Sequence, residues 1–156
     1  MRIAIGADHA GFHFKEAVAE LLGELGHECH DFGAYNAEPS DYPDFARAVA
    51  EAVAQGDFQR GILVCGNGIG ACITANKVPG IRAAVCHDIL SARQSREHND
   101  VNVLCLGERI IGRELALEIV RVWLAAEFSG LERYRRRLAK VAELEGSCPG
   151  VQLQGR

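Results

Sequence analysis

Residues 61–77 read GILVCGNGIGACITANK. A short, almost wholly apolar run ends on Cys65, and Gly66, Gly68 and Gly70 follow at once. A continuous apolar run stopped by glycine suits a strand buried on both faces, the situation of a parallel sheet. Outward from it, RIAIG (2–6), ECHDFG (28–33), IRAAVC (81–86) and VNVLCLG (101–107) have the same character. Between them lie helical patterns. Phe14, Val18, Leu21, Leu22 and Leu25 keep the spacing of one helix face, as do Leu115, Ile119, Val122, Trp123 and Ala126. YPDFARAVAEAVAQG has proline in its first turn and stops on Gly56, a helix with a start and an end. Strand and helix alternate five times, which predicts a three-layer α/β domain on a five-stranded, mainly parallel sheet. A last helix, rich in arginine, is expected over about 131–145. Residues 1–145 then form one domain and 146–156 a loose tail.

Composition narrows the function classes. The chain has 156 residues, 48% hydrophobic and 24% charged, with a net charge of −4. That is ordinary for a globular domain and does not favour a nucleic-acid surface. The opening MRIAIGADHAGF has one basic residue and an apolar run broken by Gly6 and Asp8, unlike a secretory signal. No stretch approaches the length of a membrane span, so a cytoplasmic protein is expected. The six cysteines include no C-x-x-C pair and read as reduced thiols, with no disulfide framework or zinc site.

Ligands of such folds gather at the carboxyl ends of the strands. That rule selects Asp8 and His9, the loop 34–42, Cys65 to Gly70, His87 and Asp88, and Gly107 to Arg109. The glycine loop itself admits three readings. Gly66, Gly68 and Ala71 satisfy G-x-G-x-x-(G/A), with Asp88 after the next strand. A dinucleotide site is set aside because the helix after the loop stops near Lys77, the motif follows the third strand, and too little chain remains for a substrate domain. A phosphatase-like loop fails because residue 71 is alanine and the loop contains no arginine. In the third reading, amides freed by glycine face a developing oxyanion, and the helix start favours a thiolate at Cys65. Such a thiolate is a nucleophile or a proton acceptor. The alternative for Cys65 is a small buried hydrophobe, as expected of Cys29, Cys86 and Cys105.

GADHAGF (6–12), DYPDFA (41–46), CGNGIGACITANKVPGIRAAVCHD (65–88), SREHNDVNVLCLGERIIG (95–112) and the arginine-bearing last helix occur in that order. Together they resemble the type B ribose-5-phosphate isomerase family, which includes the subunits of galactose-6-phosphate isomerase. The resemblance covers roughly residues 1–145 and implies a Rossmann-like α/β/α fold. It implies interconversion of an aldose phosphate and its ketose isomer, without metal or organic cofactor. It also implies a homodimer or dimer of dimers, with sites at the subunit interface and a phosphorylated sugar as substrate.

The resemblance assigns roles. Cys65 is the proton-transfer base, and Gly66, Asn67, Gly68, Ile69 and Gly70 cradle the oxygen of the intermediate. His98 opens the sugar ring, a task suited to a group that exchanges protons near neutral pH, and Asn99 binds sugar or intermediate oxygens. Asp8 contacts the ring and His9 the phosphate end, with Tyr42 adding a hydroxyl. Arg109 binds the phosphate, joined by Arg133 and Arg137, which lie four apart on one helix face. Simpler roles stand beside these: Asp8 as a helix cap, Tyr42 as core lining, HND as a capping turn, and the arginines as a solvated face. The chain departs from the family pattern at Asn67, where a small hydroxyl residue is usual, and at GLERY (130–134), where tyrosine replaces a common histidine. Ribose 5-phosphate and ribulose 5-phosphate are the default pair. Another aldose phosphate (allose, galactose or tetrose) is the alternative, and a non-catalytic sugar-phosphate-binding module the reading from another class.

Overall fold

The structure, a computed structural model, describes residues 1–145; the expected tail lies outside them. Five strands, β1 (Arg2–Ala7), β2 (Glu28–Asp31), β3 (Arg60–Cys65), β4 (Ala83–Val85) and β5 (Val103–Gly107), form one sheet in the order β2-β1-β3-β5-β4. Every pairing is parallel. Parallel neighbours need crossovers, and four helices supply them, α1 (Phe12–Glu24), α2 (Tyr42–Ala54), α3 (Ile69–Ala75) and α4 (Ile89–Asn99), while α5 (Arg113–Ala125) follows β5 and covers one face of the sheet. The last helix, α6 (Glu132–Glu145), packs against α4 beyond the β4 edge.

The sheet separates two cores. On one face Ile3, Ile5, Ile62, Leu104 and Leu106 meet Val18, Leu22, Ile119 and Trp123 of α1 and α5. On the other, Ala4, Leu63, Val103 and Cys105 meet Val49, Val53, Ala71 and Ala75 of α2 and α3. Strands β3 and β5 are buried at every position because both faces are covered. Each fully buried Ile or Leu here contributes about 1.5–3 kcal/mol.

Two expected faces are corrected. Leu115 is 38% exposed, and α5 instead buries Ala116, Ile119, Val120, Trp123 and Leu124. The helix begins at Arg113, and its i, i+3, i+4, i+7, i+8 stripe starts one residue later than the sequence suggested. Leu25 closes α1 as its C-cap and is exposed. Strand β4 covers only Ala83–Val85, and the Arg82 amide just before it donates to Asn102 Oδ1. Cys86 and Cys105 are buried as expected, whereas Cys29 is half-buried at the β2 edge.

Candidate active site

The strand order changes direction between β1 and β3, where β1 leads to β2 on one side and β3 to β5 on the other. The carboxyl ends of these two strands diverge into a crevice, the usual ligand position in open α/β sheets. Asp8 follows β1, and Cys65 ends β3. A cavity of about 350 Å³ opens there, lined by Asp8, His9, Ala10, Tyr42, Cys65, Gly66, Asn67, Gly70, Arg109 and Ile110. The cavity thus brings together Asp8, His9, Tyr42, Cys65 and Arg109, drawn from four separate stretches of sequence.

Local bonds fix each group. Asp8 is buried and accepts the Ala10 amide at 3.0 Å, so it caps the turn His9–Gly11 while facing the cavity. His9 is held by Ser40: Ser40 Oγ accepts the His9 amide at 3.0 Å, and the Ser40 amide donates to His9 Nδ1 at 3.1 Å. With Nδ1 accepting, the neutral ring carries its proton on Nε2. The Ser40 carbonyl lies 3.1 Å from Nδ1 and can accept from the charged ring. The loop carrying Ser40 leaves β2 through a polar anchor: Lys15, fully buried, pairs with Asp31 and donates to Ala34 O at 2.7 Å.

The glycine loop turns sharply after Cys65. Gly68 has φ of +79°, a left-handed conformation that costs glycine little. This turn aims the Gly68 N–H back at Cys65 Sγ, 3.1 Å away. Such a bond is stronger when the sulfur is a thiolate than when it is a thiol. Asn67 Oδ1 accepts the Ile69 amide at 2.9 Å. The expected cradle is therefore narrower than five residues. The amides of Gly68 and Ile69 are occupied internally, which leaves those of Gly66, Asn67 and Gly70 for a ligand. Gly68 and Ile69 do not line the cavity. The Tyr42 ring lies against Gly70, where a Cβ would come within 2.6 Å of Tyr42 Cζ.

Strand β5 supports the loop from below. The amides of Glu108 and Arg109 donate to Cys65 O and Gly66 O, each at 3.0 Å, which sets the Arg109 side chain across Gly66. Gly107 passes so close to Asn67 that a Cβ would stand 2.7–2.9 Å from three of its backbone atoms. Gly107→Ala must push the loop off β5, since backbone cannot rotate away as a side chain can. Stability should fall by about 1–3 kcal/mol. Catalytic efficiency should fall by roughly tenfold or more, because reacting groups tolerate little displacement. Thermal unfolding and initial rates check this; unchanged kinetics would mean that this contact does not set the loop.

The remaining site residues gather elsewhere. His98 and Asn99 form the last turn of α4, which Asp100 closes in a left-handed conformation while bonded to Arg82 and Arg96. Asp100, and neither His98 nor Asn99, thus serves as the capping residue of HND. Arg133 and Arg137 extend from α6 beside Tyr134, whose ring stacks on His98. None of these residues lines the Cys65 cavity. One chain therefore carries two clusters: a thiol with one arginine, and an imidazole with two.

Sequence reasoning missed Lys15, and although it placed His87 and the loop carrying Ser40 at the strand ends it gave neither a partner; the His87 Nε2 accepts the Gly107 amide at 3.0 Å. Burial holds His87 below the usual histidine range, consistent with a neutral acceptor. It also missed Cys72. That thiol is drawn down to about 7 chiefly by a hydrogen bond from Cys105, and against the effect of burial. Cys72 points toward Ala83 O and Asn76, away from the cavity.

Comparison with known proteins gives a consistent picture. Residues 3–141 match the family described as Ribose/Galactose Isomerase. The chain is 46% identical to the ribose-5-phosphate isomerase B of Escherichia coli (strain K12), with 92% of this chain and 96% of that protein covered. It is 48% identical to a D-erythrulose-4-phosphate isomerase of Pectobacterium atrosepticum, covering 83% and 86%. The solved structure of Clostridium thermocellum ribose-5-phosphate isomerase B superposes with a TM-score of 0.93 at 53% identity, covering 94% of this chain and 99% of that one.

Proposed function

The chain belongs to the ribose/galactose isomerase family and is a sugar-phosphate isomerase, and from that premise we propose that it interconverts ribose 5-phosphate and ribulose 5-phosphate through an enediolate. The observation that carries the proposal is Cys65, its sulfur bonded by the Gly68 amide, in the same cavity as Arg109. The thiolate takes the proton from C2 of the open-chain aldose. The C–H electrons form the C1–C2 double bond, and the carbonyl electrons move onto O1. The amides of Gly66, Asn67 and Gly70 supply hydrogen bonds to the new oxyanion without reorganising. The proton returns from sulfur to C1, and O2 becomes the ketone as its hydroxyl proton is lost and O1 regains one.

The substrate arrives mainly as a furanose, so a ring must open first. His98 donates a proton to the ring oxygen as the C1–O4 bond breaks and the anomeric hydroxyl, becoming the C1 carbonyl, gives up its proton to solvent, while Asp8 orients the sugar. The phosphate is held by Arg109 and His9 together with Arg133 and Arg137, whose forked donors match phosphate oxygens. Because His98, Asn99, Arg133 and Arg137 stand apart from the cavity of their own chain, a second copy supplies them. A homodimer with a composite site at each end of its interface meets that requirement.

Relatives named for erythrulose 4-phosphate and galactose 6-phosphate make another aldose phosphate the second reading. A panel of four-, five- and six-carbon aldose phosphates, compared by kcat/KM, tests the choice, because discrimination lies in that ratio. Ribose 5-phosphate should rank first and exchange deuterium at C2 in heavy water. A different aldose phosphate ranking first would overturn the assignment of substrate. Tight binding without exchange of any of them would overturn the proton-transfer role and favour a binding module.

A further inference from the structure

Tyr134 is the one buried aromatic of α6 and 7% exposed, among neighbours open to solvent. Its ring lies flat on the imidazole of His98, with centroids 4.4 Å apart and planes within 19°. The same ring receives the guanidinium of Arg133 at 4.7 Å and that of Arg137 at 5.8 Å. Its hydroxyl accepts a hydrogen bond from Arg133 Nη2 at 3.0 Å. One side chain therefore touches the imidazole assigned to ring opening and both arginines assigned to the phosphate. Resting on the function proposed above, we propose that Tyr134 is a positioning residue that fixes the distance and angle between the ring-opening imidazole and the phosphate clamp.

The physical basis is rotational freedom. A histidine at the end of a helix has two side-chain torsions to settle, and a proton donor must be in hydrogen-bond reach of its target. Stacking against a buried ring removes rotation about the imidazole axis while leaving the nitrogens at the ring edge free to meet the sugar. The phenol oxygen does the same for Arg133, which is otherwise an exposed, flexible fork. The surrounding chain reinforces the arrangement. The Ser129 amide and hydroxyl both donate to Glu97 O, at 3.0 and 2.8 Å, tying the approach to α6 to the last turn of α4.

The chemistry of the two sugars separates this role from a merely structural one. Ribose 5-phosphate closes a five-membered ring through O4 and must be opened. Ribulose 5-phosphate cannot close an equivalent ring: O5 is phosphorylated, and attack of O4 on C2 would give four members. Exchange at C1 of ribulose 5-phosphate therefore needs Cys65 but no ring opener.

The experiment compares initial turnover of ribose 5-phosphate with initial deuterium incorporation at C1 of ribulose 5-phosphate, for four variants of the full chain. Tyr134→Leu should lower kcat for ribose 5-phosphate by roughly tenfold or more while C1 exchange stays within about threefold. Tyr134→Phe keeps the stack and loses the acceptor for Arg133, so KM should rise about three- to tenfold with kcat nearly unchanged. Tyr134→His, which restores a flat ring with a polar edge, should recover most of the turnover lost in the leucine variant. His98→Asn should show the same selective loss as Tyr134→Leu. Equal losses of turnover and exchange in Tyr134→Leu, no loss in either, or a Phe variant as impaired in kcat as the Leu variant would each overturn the inference. Should His98→Asn show the selective loss and Tyr134→Leu not, only the role of Tyr134 fails. Should His98→Asn keep full turnover of ribose 5-phosphate, the ring-opening assignment fails and the role of Tyr134 with it.

Discussion

Cys65→Ala should lose at least about a hundredfold in kcat for the aldose–ketose interconversion, the scale expected when a general base is removed. The size follows from how few groups in the cavity can take a proton from carbon. The carboxylate of Asp8 is engaged as the cap of the turn at His9, and Nδ1 of His9 is engaged by Ser40. The phenol of Tyr42 and the guanidinium of Arg109 are weak bases near neutral pH. Among the cavity residues, Cys65 alone presents a sulfur, and that sulfur receives the Gly68 amide. Substrate binding rests on other residues, so KM should move by no more than about threefold. Cys65→Ser keeps a hydrogen-bonding atom but replaces a thiolate by a hydroxyl that stays protonated, and should fail almost as badly. Cys72→Ala is the matching control. Its thiol is drawn down to about 7 by Cys105, yet it faces β4 and should leave turnover within about threefold of wild type. Deuterium uptake at C2 of ribose 5-phosphate reads the proton transfer itself. Full uptake in the Cys65→Ala protein would remove the sulfur from the mechanism.

The fold was legible because strand burial leaves a plain mark. Ile62 to Val64 and Val103 to Leu106 are apolar without interruption, which only a sheet covered on both sides requires. Helix faces were legible to within a residue. The α5 stripe begins at Ala116 and not Leu115 because a small residue and a large one both satisfy apolar spacing, and only packing against α1 and α4 decides. The Cys65 half of the site was readable for a related reason: strand ends of a parallel sheet are fixed points, and Asp8, Cys65 and Arg109 all sit at or beside one. The second half was not readable from spacing. The stack of His98 on Tyr134 joins α4 to α6 across a separation that no helical or strand period connects. Asn67 shows a further limit. It is expected in the cradle, and in the folded loop its side-chain oxygen accepts the Ile69 amide and so takes that amide from the cradle. Ser40 carries no pattern at all, since its effect on His9 depends on the path of the 34–41 loop.

A composite site makes a demand that single-chain catalysis does not. On the proposed reading, Cys65 acts with the Gly66–Gly70 loop of its own chain, and His98, Arg133 and Arg137, whose cluster lies outside that cavity, come from the neighbour. A Cys65→Ala homodimer and a His98→Asn homodimer should each retain about 1% of wild-type turnover of ribose 5-phosphate or less for the first, and about a tenth or less for the second. In a mixed dimer the two lesions fall into one site and the other site is whole. Differently tagged chains carrying one substitution each, co-expressed and purified on both tags, isolate that species. With one intact site of two, its specific activity should reach about half that of wild type. Mixed dimers no more active than the average of their parents would contradict the account, since Cys65 and His98 would then not serve one substrate from two chains.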